Sequence, residues 1–418
     1  MNKITLDNIR TVNNKVFYEY TVTGSWDRCF KSMRMSCVEY DTDVGSVPSS
    51  VLAVPFVCNI LPAVWLCDAT LQLNSLDSDF VSRIDDLKSG YKKMYPMLDF
   101  KGKIETTCES IVPPAHVGRK GALFFSGGVD AYTTFLRHLE EKPALMTVWG
   151  ADIKLDDATG WKNVLDNLVK VSSDYGVENH AIKSDFRSVL NECELDRIIE
   201  ASNDRWWHGF QNSIAIISHA APLAYLYGWK KVYISSSFSE DIRGQYTGCS
   251  DPSIDNNIVF CGCHTVHDGY ELNRQQKIGF LVDERHKSNI DMFLRVCWES
   301  RGGKNCSCCE KCYRTILGLV AEGEDPNDYG FSWSRKSSQR CRKDLLSRYD
   351  IYEYDYYPIQ QRMKENVGLL TDSEDYRWFI ELDIDSVNHK AGKRIRRVLN
   401  RGIIPWMLRS IRGDKADG

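Results

Sequence analysis

The chain has no excess of either charge. Lys and Arg number 53 against 57 Asp and Glu, a formal net charge of −4 over 418 residues. That excludes a sequence-wide basic field of the kind that gathers nucleic acid. The opening residues, MNKITLDNIR, mix both signs and lack the apolar stretch of a secretory signal. No internal repeat recurs, so an array of stacked repeats is excluded. Long uncharged runs are scarce too. The most apolar of them runs from Ser46 to Cys67, and its length would suffice for a bilayer. It holds Pro48, Pro55, Pro62 and Asn59, and it reads as short buried strands broken by turns, with no membrane span. What the chain does not lack is cysteine: there are 15. Ten are scattered through the first 263 residues and at Cys341, several in apolar settings that suit buried free thiols. The other five crowd into residues 297 to 312. That is no disulfide framework, and it points to a reduced, cytoplasmic, metal-binding protein.

Residues 1–115 carry strand-like runs at Val16–Val22 and Val51–Phe56 and a helical stretch at Phe80–Tyr95. They predict a smaller N-terminal α+β accessory domain. Val112-Pro113-Pro114-Ala115 reads as a linker. From 119 the pattern alternates. Strands are expected at Ala122–Phe125, Leu145–Trp149, His180–Lys183 and Lys231–Ser235, and helices at Ala131–Glu140, Trp161–Tyr175 and Ser213–Tyr227. This order predicts an α/β domain over 119–325, a parallel sheet with helices on both faces. Residues 326–418 are expected to form a helical, basic C-terminal extension.

The first strand runs directly into Ser126-Gly127-Gly128-Val129-Asp130 and then an amphipathic helix. Two glycines at such a joint allow a tight turn and present backbone N–H groups at a helix start, which suits an anion. The loop lacks the Lys-Ser/Thr of a P-loop kinase and the glycine spacing of a dinucleotide fold. It resembles the pyrophosphate loop of the PP-loop ATP pyrophosphatases, Ser-Gly-Gly-x-Asp-Ser/Thr. The fold this implies is Rossmann-like, of the PP-loop/HUP type. Ser126 and the N–H groups of Gly127, Gly128, Val129 and Asp130 would hold the leaving pyrophosphate of ATP, with Asp130 orienting the loop or a Mg²⁺ ion. Ala131 stands where the pattern has a hydroxyl, leaving Thr133 or Thr134 to compensate.

The cysteines of CWESRGGKNCSCCEKC are spaced Cys297-x8-Cys306-x2-Cys309-x2-Cys312, with Cys308 left over. Four thiolates so spaced suit a closed, structural, tetrahedral Zn²⁺ site; an iron–sulfur cluster is the alternative. A PP-loop followed by this cysteine set, with Asn273-Arg274-Gln275-Gln276-Lys277-Ile278 before it, resembles the 7-cyano-7-deazaguanine synthase (QueC) family. The likeness covers about residues 119 to 320.

That resemblance implies ATP-dependent adenylation of a carboxylate, a 7-carboxy-7-deazaguanine-like acid, with pyrophosphate release and attack by an amine. It implies catalytic roles for Asp130, Arg274 and Lys277. The added N- and C-terminal regions depart from the family and match enlarged QueC-like proteins of bacterial anti-phage operons. For these the implied acceptor is an amine on a partner protein. Synthesis of the free nitrile with ammonia, a PP-loop amidotransferase acting on a sugar, and a degenerate nucleotide sensor are the alternatives.

Other residues fit around this reading. Asp152, just past the second strand, could meet the ATP ribose or Mg²⁺, or simply form a turn. Trp206, Trp207 and His208 open a helix and could stack a flat base, or pack in the core. Cys261, Cys263, His264 and His267 stand too close together for a good tetrahedron, and His267-Asp268-Gly269 is expected to line the substrate site from a loop. The tail from His389 to Arg412 holds eight Lys or Arg and no acid. It could meet RNA or an acidic protein face, but a solvated helix is the reading favoured over nucleic acid.

Overall fold

The computed structural model describes residues 1–113, 121–299, 302–370 and 373–388. Pro114 and Ala115 of the expected linker, the boundary at 119, and the basic tail from His389 to Arg412 lie outside the described residues. Two compact units divide the chain. The first holds residues up to Leu272 together with 302–304; the second holds 273–299 and the described residues from Asn305 on.

The first unit is built on one mostly parallel sheet of 11 strands. In chain order these are β1 (Asn2–Val12), β2 (Lys15–Thr23), β3 (Met35–Glu39), β4 (Ala69–Asp77), β5 (Lys103–Glu109), β6 (Gly121–Phe124), β7 (Ala144–Trp149), β8 (Asn179–Ser184), β9 (Lys231–Ser235), β10 (Val259–Phe260) and β11 (Cys263–Asp268). Their order across the sheet is β10-β11-β9-β6-β7-β8-β3-β2-β1-β4-β5. Every residue of β6 is buried, and β7 is buried from Ala144 to Val148. Continuous burial is what strands covered on both faces require.

The run Ser46–Cys67 is not a set of strands. Ser49–Leu66 forms one helix, α1, with Pro55 and Pro62 inside it. It is the one described helix long and apolar enough to cross a bilayer, and 89% of it is buried inside the fold. Being apolar on every side, it shows no helical period in the sequence, and its prolines read as breakers. Its single amide side chain, Asn59, is satisfied in place: Nδ2 donates to Phe186 O at 3.0 Å, and Oδ1 accepts from Gln211 Nε2 at 2.6 Å. Replacing Asn59 by Leu would strand both partners in the interior. We expect a loss of about 2–4 kcal/mol, read as a lower urea midpoint with an unchanged slope; an unchanged midpoint would contradict this account of α1.

The described residues up to 113 fall in the same compact unit as the strands that follow them. Strand β3 pairs antiparallel with β8 (Val38 with Ser184, Glu39 with Lys183), so the N-terminal strands continue the sheet. Asp185 Oδ1 accepts from Ser36 Oγ at 2.6 Å and from Cys37 N at 2.9 Å. Tyr91, on α2 (Ser78–Met94), donates its hydroxyl to Phe210 O at 2.9 Å. An apolar core shared between the two halves replaces the expected boundary.

The second unit is helical. Its helices Arg274–Ser288, Glu310–Ala321, Arg335–Ser347 and Glu353–Glu365 include a core of Tyr313, Leu317, Cys341, Leu345, Tyr356, Ile359 and Met363. The four cysteines therefore fall in the unit of the C-terminal helices, where the sequence reading grouped them with the α/β domain.

Candidate functional site

Within the sheet, β11, β9, β6, β7 and β8 are mutually parallel neighbours. The chain enters at β6, steps to β7 and β8 on one side, then returns to β9 and β11 on the other. Between β6 and β9 the direction of winding reverses. In doubly wound sheets a crevice opens there, beyond the carboxyl ends of the strands. The loop leaving β6 at that point is Ser126-Gly127-Gly128.

Gly127 turns through φ 75°, a left-handed conformation that glycine adopts without strain. Gly128 is extended and caps α3 (Val129–Arg137). Its N–H donates to Ser126 Oγ at 3.3 Å, and Ser126 is exposed. The first-turn amides of α3 have no carbonyl within the helix to meet, as at any helix start, and carry the positive end of its dipole. Asp130 lies half-buried in that first turn. Asp152 is exposed on the loop after β7, the strand beside β6. Gly150, in the same loop at φ 109°, passes so close to Ser184 O that an added Cβ would stand 1.9 Å from it.

Thr133 is not a phosphate ligand. Its side chain is fully buried, and its hydroxyl donates back to Val129 O at 2.9 Å within α3. Ala131 is likewise buried.

The aromatic segment is only partly available. Trp206 is fully buried and stacks on Phe210, ring centroids 5.5 Å apart, so the expectation that it faces a ligand is corrected. Trp207 is half-buried with the Arg187 guanidinium 4.0 Å above its ring. His208 is the exposed member, its side chain 51% accessible. In place of the expected helix start, Trp207–Gln211 forms a π turn, followed by the helices Asn212–Ser218 and Ala221–Tyr227. Pro222 explains the break between those two, because its ring cannot follow the carbonyl of Ser218 in a continuous helix.

His267 is also corrected. It lies on β11, not on a loop, and alternation along the strand turns it inward. Its side chain is wholly enclosed, with Nδ1 2.7 Å from Asp255 Oδ2. Burial raises the pKa of Asp255, while His267 and the Ser213 hydroxyl at 2.6 Å oppose that shift. Cys261 and Cys263 flank the tight turn between β10 and β11 with buried thiols. That turn is pinned by Asp77 and Asp79, which accept from the N–H of Cys261 and Gly262.

In the second unit, Asn273 and Gln276 form a reciprocal cap that starts the helix Arg274–Ser288. Lys277 is buried on its first turn and Arg274 half-buried. The cysteine cluster is well formed. Cys297 Sγ lies 3.8 Å from Cys309 Sγ, Cys306 Sγ lies 3.9 Å from Cys312 Sγ, and all four sulfurs fall within 4.8 Å of one another. Four thiolates about 2.3 Å from a tetrahedral Zn²⁺ stand about 3.8 Å apart, so the cage fits a metal such as zinc.

Ser307 turns the chain at φ 55°, aiming the N–H groups of Cys308 and Cys309 at Cys306 Sγ, 3.5 and 3.2 Å away. Cys309 caps the helix Glu310–Ala321, and Cys312 sits in its first turn, where the helix dipole favours thiolate. Cys308 is not one of the four grouped sulfurs; its carbonyl accepts from Tyr349 Oη at 3.3 Å.

Asn305 was invisible to sequence reasoning. Its Oδ1 accepts from the N–H groups of Val296 and Cys297 at 3.0 and 3.3 Å, and its Nδ2 donates to Leu294 O and Gly330 O. It thereby holds the distant Cys297 beside the other three.

No protein-family model, curated protein or solved structure matches this chain.

Proposed function

We propose that the first unit is a PP-loop ATP pyrophosphatase of the QueC-like kind, which adenylates a carboxylate and passes the acyl group to an amine. The observation that carries this is the position of Ser126-Gly127-Gly128: a glycine turn at a helix start, placed where the parallel strands reverse their winding. Ser126 Oγ and the amides from Gly127 to Asp130 would receive the leaving pyrophosphate. Asp130 would orient a Mg²⁺ ion, and Asp152, on the neighbouring loop, is the candidate for the ribose. The acid is a 7-carboxy-7-deazaguanine or a close relative. Strands β1–β5 extend the sheet beyond the five that frame the crevice, which suits an acceptor larger than ammonia, namely an amine on a partner protein. The Cys297–Cys306–Cys309–Cys312 cage would hold a structural zinc.

The test is to incubate the full chain with ATP, 7-carboxy-7-deazaguanine and either ammonium or glycinamide, a stand-in for a protein amine, and to weigh the products. The reading predicts AMP together with the glycinamide adduct as the favoured product. Conversion with ammonium alone would return the activity to synthesis of a free nucleoside precursor.

A further inference from the structure

Among the described residues of the first unit, one imidazole outside the Ser126–Asp130 loop is both exposed and rigidly aimed. His208 Nδ1 lies 2.8 Å from Asp204 Oδ1. The Asp204 side chain is itself only 6% accessible and is over-determined. Its Oδ2 accepts from Tyr95 Oη at 2.7 Å and Thr247 Oγ1 at 2.8 Å, and its Oδ1 accepts from Arg205 N at 2.7 Å. The backbone is shaped to permit this. A Cβ on Gly209 would stand 2.6 Å from Tyr95 Oη and 2.8 Å from Asp204 Oδ2, so only glycine admits both groups. A Cβ on Gly248 would stand 3.2 Å from the His208 ring. The ring also meets Phe238 edge-on at 6.4 Å, on the loop that follows β9. That loop leaves the sheet at the carboxyl end of the strand beside β6. His208 thereby meets the loop that follows the strand paired with β6. The π turn carrying it is a rare local structure that recurs at functional sites.

Resting on the function proposed above, we propose that His208 is the general base of the acyl-transfer step, taking the proton of the attacking amine, with Asp204 as its positioning residue. Burial alone would raise the pKa of Asp204, yet His208, Tyr95 and the Arg205 amide hold it at about 2. A carboxylate that only accepts fixes the proton on Nδ1 and leaves the Nε2 lone pair facing out. In the step, the amine nitrogen bonds to the acyl carbon of the adenylate. The bond from that carbon to the phosphate oxygen breaks, and its electron pair leaves with AMP. One proton passes from nitrogen to His208 Nε2 and on to solvent. The products are amide, AMP and one proton.

Hydroxylamine separates this role from a structural one, because it attacks acyl adenylates without help from a base. With ATP, 7-carboxy-7-deazaguanine and glycinamide, His208→Gln and Asp204→Asn should lose about a hundred-fold or more in amide formation. With hydroxylamine in place of glycinamide, both variants should form hydroxamate within a few-fold of the wild type. Amide formation at the wild-type rate in His208→Gln would overturn the assignment, and so would equal losses with both nucleophiles. A wild-type protein that forms neither amide nor hydroxamate would instead remove the adenylation reading on which the assignment rests.

Discussion

Asp130→Ala should lower AMP formation by about a hundred-fold or more while leaving the fold intact. The side chain sits half-buried in the first turn of α3, beside the Ser126–Gly128 turn, and it is the loop's only carboxylate. If pyrophosphate leaves into that turn with a metal ion, Asp130 orients the charge that must be neutralised as the α–β bond breaks. Removing one such preorganised contact typically costs about 3–4 kcal/mol in the transition state. Thr133→Ala is the informative contrast. Its hydroxyl is spent on Val129 O inside the helix, so AMP formation should stay near the wild-type rate. Chromatographic assay of AMP for the two variants, with circular dichroism to confirm folding, checks both statements. An active Asp130→Ala would detach the loop from the chemistry.

Cys309→Ser should yield protein without stoichiometric zinc and with an unfolded or insoluble second unit. Cys309 is fully buried, caps the helix Glu310–Ala321, and stands 3.8 Å from Cys297 Sγ. One substitution thus removes a ligand and loosens the start of a core helix. Structural zinc of this kind contributes on the order of 10 kcal/mol in small domains, comparable to the whole net stability of a typical domain. Cys308→Ser should retain one zinc per chain, because the Cys308 sulfur lies outside the cage. Elemental analysis of both purified variants decides the matter. Stoichiometric iron in the wild type, or an active protein without metal, would contradict a zinc cage.

The strands that frame the crevice are legible in the sequence. Ala122–Phe125, Leu145–Trp149, His180–Lys183 and Lys231–Ser235 each lie within a residue of the observed β6, β7, β8 and β9, since short apolar runs between polar helices leave little choice. The tight turn between β6 and α3 is legible too, because two glycines at a strand–helix joint announce it.

Other parts are hidden because one sequence pattern serves two structures. Helix α1 is apolar all round, and without a polar face the helical period vanishes. Cys263–Asp268 carries metal-ligand residue types, yet a two-residue alternation buries Cys263, Thr265 and His267. Trp206 and His208 are two residues apart and look equally suited to a ligand. The fold buries the first against Phe210 and exposes the second. Domain limits fail differently. Asp41 meets His180 at 3.1 Å and Asp185 meets Ser36 at 2.6 Å, pairings between distant segments that no local composition announces.

The most direct test of the account is pyrophosphate exchange. The wild-type chain is mixed with ATP, Mg²⁺, 7-carboxy-7-deazaguanine and radiolabelled pyrophosphate, with no amine present. Formation of an acyl adenylate at the Ser126–Asp130 loop predicts label entering ATP only when the carboxylate is present, and label entry falling about a hundred-fold in Asp130→Ala. Cleavage of ATP to ADP and phosphate, or exchange that ignores both the carboxylate and Asp130, would contradict it.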